Sequence, residues 1–282
     1  MLSVNDPGSD SAADSTAAAA GPLVYIVLGS PGSGRRAVVA DLIGAGLDPA
    51  TDRAHVLLSA DEVAQPGDAA FASLARWSWD AAAHTFGEEA APCPADATHV
   101  FFVVNGRQDP VEQIEALKPW LDSRGLTLAR IFTVIDCQLA EKNPELATWF
   151  AGCVHFSDVV LLSRREGVAN KWMSAFRRTY EDQCMPCLFE FVKADGRVKN
   201  PALLLDPAPR RLSQYFDASE WDGLDLTDIE IGESDDEDGD DVRPIAKTEL
   251  DPDDQPPVDP YLERKQNGRR AIELPDIREF LN

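Results

Sequence analysis

Residues 23–28, Leu-Val-Tyr-Ile-Val-Leu, are six consecutive β-prone apolar residues that run directly into Gly29-Ser-Pro-Gly-Ser-Gly34. An unbroken apolar strand must be covered on both faces, as it is in a parallel sheet between two layers of helix. The glycines then let successive backbone N–H groups turn inward, and a helical pattern from Arg35 to Ile43 starts at the same point. Strand, glycine loop and helix in this order predict an α/β domain with a phosphate-binding loop over Gly29–Arg36.

The rest of residues 22–215 agrees with that expectation. Short apolar runs at 55–58, 99–104, 130–135, 158–162 and 187–192 read as strands. Between them, helices are expected over 68–85, 111–121, about 143–152 and about 168–182, the second from Val111, Ile114, Leu117 and Leu121. Strands apolar on both faces and separated by helices predict a doubly wound, mostly parallel sheet. No internal repeat is visible.

The flanks have a different composition. Residues 1–21 are rich in Ala, Ser and Asp and lack the basic start of a targeting peptide, so a disordered leader is expected. Residues 217–260 hold 18 acidic residues against Arg243 and Lys247, which accounts for most of the net charge of −23. The stretch 216–260 therefore reads as an acidic disordered linker, with Asp235–Asp241 as a solvated run. Residues 261–282 regain Tyr261, Leu262, Ile272, Leu274, Ile277, Phe280 and Leu281, enough to dock on the domain or on a partner protein.

Acidic surface and tail repel phosphate backbones, so nucleic acid is not an expected partner. No stretch approaches the ~18 uncharged apolar residues of a membrane helix, so no membrane association is expected. Five scattered cysteines in a chain of 282 residues read as reduced thiols, and the expected location is cytoplasmic.

The loop follows G-x-x-x-x-G and then departs from the phosphate-loop pattern, which continues with Lys and Ser/Thr. Arg35 stands at the lysine position, keeping the charge on a bulkier planar fork. Arg36 stands where a hydroxyl would hold Mg²⁺, and a guanidinium has no lone pair to offer a metal. Phosphate binding at Gly29, Ser30, Pro31, Gly32, Ser33, Gly34, Arg35 and Arg36 is expected, with Mg²⁺ not held in the usual way. The alternative is a glycine-rich turn that binds nothing.

Three later stretches give the chain a family likeness. Val103-Val-Asn-Gly106-Arg-Gln-Asp109-Pro110 closes an apolar strand, Arg130–Asp136 forms another, and Asp158–Val168 ends in Ser163-Arg164-Arg165-Glu166. In order and spacing, together with Asn200-Pro201, this resembles the CobW/HypB/UreG group of P-loop GTPases, which serve metal centres. The resemblance covers about residues 23–205 and implies a P-loop fold with GTP or another nucleoside triphosphate as ligand. It implies roles near the nucleotide for Gly106 and Asp109, and base contacts for Ser163, Arg164 and Glu166. The departures are consistent in direction: Val103 replaces an acidic residue, Ser163–Glu166 replaces N-K-x-D, and the metal-binding C-x-C-C is missing. The resemblance thus implies a degenerate member with weak or absent hydrolysis, or a pseudo-GTPase scaffold acting through protein contacts.

Other candidate features have plainer readings. Cys184 and Cys187 follow a helix, so its dipole opposes a thiolate, and zinc would need further ligands such as Cys153 and His155. Asp136 reads as a cap on the following turn. Trp149, Phe150, Trp172 and Phe176 fall at helical spacing and read as core.

Overall fold

In the computed structural model the described residues are 21–80, 82–87, 93–217 and 258–281. The leader apart from Gly21 and nearly all of the acidic stretch, Asp235–Asp241 included, lie outside them. The elements follow in order as β1 (Leu23–Gly29), α1 (Arg35–Gly46), β2 (Ala54–Ser59), β3 (Leu74–Trp77), β4 (Trp79–Asp80) and β5 (Thr85–Phe86). Then come β6 (His99–Val103), α2 (Pro110–Asp122), β7 (Thr127–Asp136), α3 (Cys137–Lys142), α4 (Ala147–His155) and β8 (Val159–Ser163). The series ends with α5 (Asn170–Glu181), β9 (Leu188–Phe191) and the short α6 (Pro201–Leu204).

Seven strands form one sheet in the order β3-β2-β6-β1-β7-β8-β9, and every neighbouring pair is parallel. The doubly wound, mostly parallel α/β architecture expected from the sequence is present. Side chains alternate between the two faces, as strand geometry requires. Val24, Ile26 and Leu28 of β1 join one core with α2 and α4, while Tyr25 and Val27 join the other with α1 and α6. The residues at the centres of both cores have almost no solvent exposure, which is why these strands carry little polar alternation.

The helix expected over 68–85 does not form. That region is a 3-10 turn (Pro66–Ala70), the edge strand β3, and the antiparallel pair β4–β5. Its apolar residues anchor rather than alternate. Trp77 is fully buried, donates Nε1–H to the Val103 carbonyl at 3.1 Å, and stacks on Phe102 with centroids 5.1 Å apart. The helix expected over about 143–152 is displaced too, since Pro144–Leu146 is a 3-10 turn and α4 begins at Ala147.

Two of the helix starts, those of α3 and α2, carry side-chain caps. Asp136 accepts from the Leu139 amide at 3.0 Å and opens α3. Asp109 accepts from the amides of Val111 at 2.7 Å and Glu112 at 3.3 Å, with Pro110 as the first helical residue of α2. We expect Asp109→Ala to lower stability by about 1 kcal/mol. Urea unfolding should show this as a lower midpoint at unchanged slope, and an unchanged midpoint would rule the cap out as a stabilising contact.

Residues 258–281 lie against α2 and α4 in a largely irregular path. Tyr261 sits over His155 and Phe156 with centroids 4.9 and 6.2 Å away, and Ile277 is buried. Asp259 accepts from Ser213 Oγ at 2.5 Å and pairs with His155 Nε2 at 2.8 Å. Glu115 of α2 accepts from Arg264 at 2.7 Å and from Arg270 at 2.6 Å.

Candidate functional site

The helices after β1 and β6, which are neighbours in the sheet, lie on opposite faces. Such a switch opens a crevice at the carboxyl ends of the two strands. Gly29–Gly34 and residues 104–109 meet there.

The loop needs its glycines. Gly29, Gly32 and Gly34 have φ of 133°, 79° and 93°, in the left-handed half of the map that side chains disfavour. A Cβ on Gly29 would stand 2.4 Å from the Val134 carbonyl oxygen, whereas one on Gly32 would meet nothing. Gly106 is close for another reason: its Cβ would stand 2.4 Å from Gly29 O and 2.9 Å from Pro31 N. Residue 106 is therefore the floor on which the loop rests.

α1 starts at Gly34 without a capping side chain. Its first amides, with the positive end of the helix dipole, face the loop. Ser30 and Ser33 are fully buried, and neither hydroxyl has a partner. Ser163, at the end of β8, donates its hydroxyl to the Ser33 carbonyl at 2.7 Å, and Arg164 lies 3.4 Å from the Gly32 carbonyl. Arg164 also pairs with Asp136 at 3.3 Å. Burial pushes the Asp136 carboxyl above the usual range, against the Leu139 amide and Arg164.

The two arginines after the loop turn away from it, into the protein. Arg35 donates to the Val104 carbonyl and to Glu62 Oε1, the latter at 2.5 Å. Arg36 holds Glu62 Oε2 at 2.9 Å and both oxygens of Asp68 at 2.9 Å, and Arg76 reaches Asp68 at 3.1 Å. Side-chain exposure is 4% for Arg35, 9% for Arg36, 11% for Glu62 and 9% for Asp68, so this is an interior charge network. Burial disfavours the Glu62 carboxylate, but the two guanidiniums together outweigh it and leave its pKa below the ordinary value. Burial likewise lowers the pKa of Arg35, with Glu62 opposing.

This donor set does not fit a resident Mg²⁺. The hydroxyl position carries Arg36, whose guanidinium already lies between the carboxylates of Glu62 and Asp68. No group of three or more His, Cys, Asp or Glu poised for a metal occurs among the described residues. Cys153 and His155 do not assemble with Cys184 and Cys187. Cys153 is buried and its pKa pushed up by burial, His155 is bonded to Asp259, Cys184 is exposed, and Cys187 is buried.

Of the residues singled out from sequence, Gly29–Gly34, Gly106, Ser163 and Arg164 converge at the crevice, while the side chains of Arg35 and Arg36 lead away from it to Glu62 and Asp68. Asp109 stays at the start of α2, where burial raises its pKa against the pull of two amide bonds. Glu166 is exposed just beyond β8, and its backbone carbonyl accepts from Gln138 at 2.6 Å. Glu62, Asp68, Arg76 and Asn105 were not singled out. Asn105 lies between Asp61, which accepts from its Nδ2 at 3.2 Å, and Gln113, whose Oε1 accepts from its amide at 2.8 Å. The available signal was two consecutive arginines at the start of a helix, which need nearby acids if buried.

No family model matches the sequence, and no curated protein matches it. Among solved structures the chain is similar to the Zn(II)-bound YjiA GTPase from E. coli, at 12% identity and a TM-score of 0.41 over 67% of this chain and 66% of that one. It is similar to the cell division protein FtsY from Thermotoga maritima, at 17% identity and a TM-score of 0.42 over 66% and 68%. A third similarity is to the signal recognition particle receptor FtsY from Elizabethkingia anophelis in complex with GDP, at 14% and 0.43 over 66% and 63%. The chain thus spans about two thirds of the length of these structures. Likenesses this distant say nothing of its own ligand. No helix among the described residues is long and apolar enough to cross a membrane.

Proposed function

We propose that the chain binds a nucleoside triphosphate or diphosphate at Gly29–Gly34 without a divalent cation, and hydrolyses it weakly or not at all. The observation that carries this reading is the uncapped start of α1 behind a left-handed glycine loop. Unpaired amides with a helix dipole behind them suit a phosphate, and Ser30 and Ser33 add two hydroxyls without partners. Arg36, held by Glu62 and Asp68, offers no ligand to a divalent cation where a hydroxyl would otherwise stand. With no metal to polarise the γ-phosphate, and Val103 in place of an acid, turnover is expected to be slow. A lean to guanine rests on Glu166, whose exposed carboxylate can accept two hydrogen bonds from the base edge.

Titration calorimetry with GTP, GDP and ATP, each with Mg²⁺ and with EDTA, tests the proposal. We expect micromolar binding that EDTA leaves unchanged, weakened about 10- to 100-fold by Arg35→Ala, the usual range for losing a charged hydrogen bond. Binding that requires Mg²⁺ would contradict the role given to Arg36.

A second reading is a pseudo-GTPase scaffold that acts through protein contacts. It is favoured by the pairing of Arg35 and Arg36 with Glu62 and Asp68, which leaves both cations already satisfied. Heat from none of the three nucleotides decides for this reading.

A further inference from the structure

Residues 104–109 are shared between two sites. On one side Arg35 donates to the Val104 carbonyl, and Gly106 supports Gly29 and Pro31. On the other, Arg107, Gln108 and Asp109 line a cavity of about 390 Å³ closed by Leu274, Pro275, Asp276, Ile277 and Arg278 of the C-terminal segment. Trp79, His84, Glu112 and Trp149 also line it. The short stretch between is tied at both ends. Asn105 and Gln113 bond each other twice, through the Asn105 amide at 2.8 Å and its carbonyl at 3.0 Å, and Gln113 belongs to α2, which also carries Glu115.

We propose that the C-terminal segment is a latch on α2 and α4 whose hold depends on whether the phosphate loop is occupied. The proposal rests on the phosphate-binding reading above and adds what that binding would control. Arg35 has two alternatives, the Val104 carbonyl with Glu62 or an incoming phosphate, and a guanidinium cannot serve both fully. A phosphate that draws Arg35 off Val104 loosens residues 104–109, which support one wall of the cavity. Contacts with residues 274–278 weaken, and the segment is released from Trp149 and Ile277's pocket outward. Coupling of this kind is reciprocal, so releasing the latch tightens the phosphate site by the same factor.

The test uses the full chain and two readouts. Hydrogen exchange of residues 259–281 is measured with and without saturating GTP, and GTP affinity is measured for Ile277→Asp and Glu115→Ala. We expect at least fivefold faster exchange over 274–281 with GTP, and a GTP affinity raised by a similar factor in both variants. Glu115→Ala removes only the ion pairs to Arg264 and Arg270, so it keeps the affinity arm usable if Ile277→Asp does not fold. GTP binding with unchanged exchange overturns the latch and leaves the phosphate reading standing. Absence of any binding overturns both.

Discussion

Glu62→Gln should lower stability by about 3–5 kcal/mol, the usual penalty for leaving buried charge without its partner. Among the described residues Glu62 is the one carboxylate that touches both Arg35 and Arg36, and all three are at least mostly buried. Glutamine keeps the shape and part of the hydrogen bonding but removes the charge, so the loss reads electrostatics rather than packing. The companion experiment replaces Arg35 with methionine in the Glu62→Gln background, which removes the cation left without a carboxylate while Arg36 keeps Asp68, and should restore much of the loss. Urea unfolding of the series measures both effects. A single substitution costing under about 1 kcal/mol would place Glu62 with surface ion pairs, against its burial.

The same group fixes a pH dependence. The folded-state pKa of Glu62 lies below its ordinary value of 4.5. Its contribution is therefore complete above that value and is lost as pH falls through the depressed folded pKa. Wild type should thus lose stability faster than Glu62→Gln on acidification below about pH 4.5, and parallel profiles would contradict the assignment.

The second large effect separates two glycines three residues apart. Gly29→Ala should cost about 3 kcal/mol or more, because it combines a φ of 133° with a methyl 2.4 Å from the Val134 carbonyl oxygen. Gly32→Ala meets open space at a φ of 79° and should cost about 1 kcal/mol. Thermal unfolding of the two variants side by side gives the comparison. Equal losses would show that the loop can rearrange around position 29, which the pairing of Gly29 at the end of β1 with Val134 of β7 opposes.

What could be read from the sequence follows the range of the interaction that decides each element. β1, β6, β7 and β8 were legible because burial on both faces writes itself as an unbroken apolar run. α2 was legible from its 3.6-residue spacing. Gly29–Gly34 was legible because only glycine tolerates those dihedral angles. Residues 68–85 were not, because β3 is four residues long and exists by pairing with β2, while Ala81–Ala83 suggested a helix. α3 escaped notice because six residues directly after a strand show no full period. At the site, Arg35 and Arg36 were visible but their direction was not. The acids that turn them inward lie some thirty residues on, Glu62 in the turn after β2 and Asp68 at the start of the stretch expected to be helical. The C-terminal path is mostly turns, so its docking left only a scatter of apolar residues to see.

The position of β1 has a consequence for how the chain is made. β1 is central, and its partners are β6 and β7, with Leu23 aligned to His99 and Thr127. Tyr25 in the same strand donates its hydroxyl to the Leu205 carbonyl at 2.8 Å. This apolar strand thus leaves the ribosome before either of the strands that pair with it. At roughly 5–20 residues per second, it waits on the order of 5–20 s before β7 is synthesised. During that interval its open edges are the part of the nascent protein most in need of a chaperone, and folding is expected to be slow for a domain of this size.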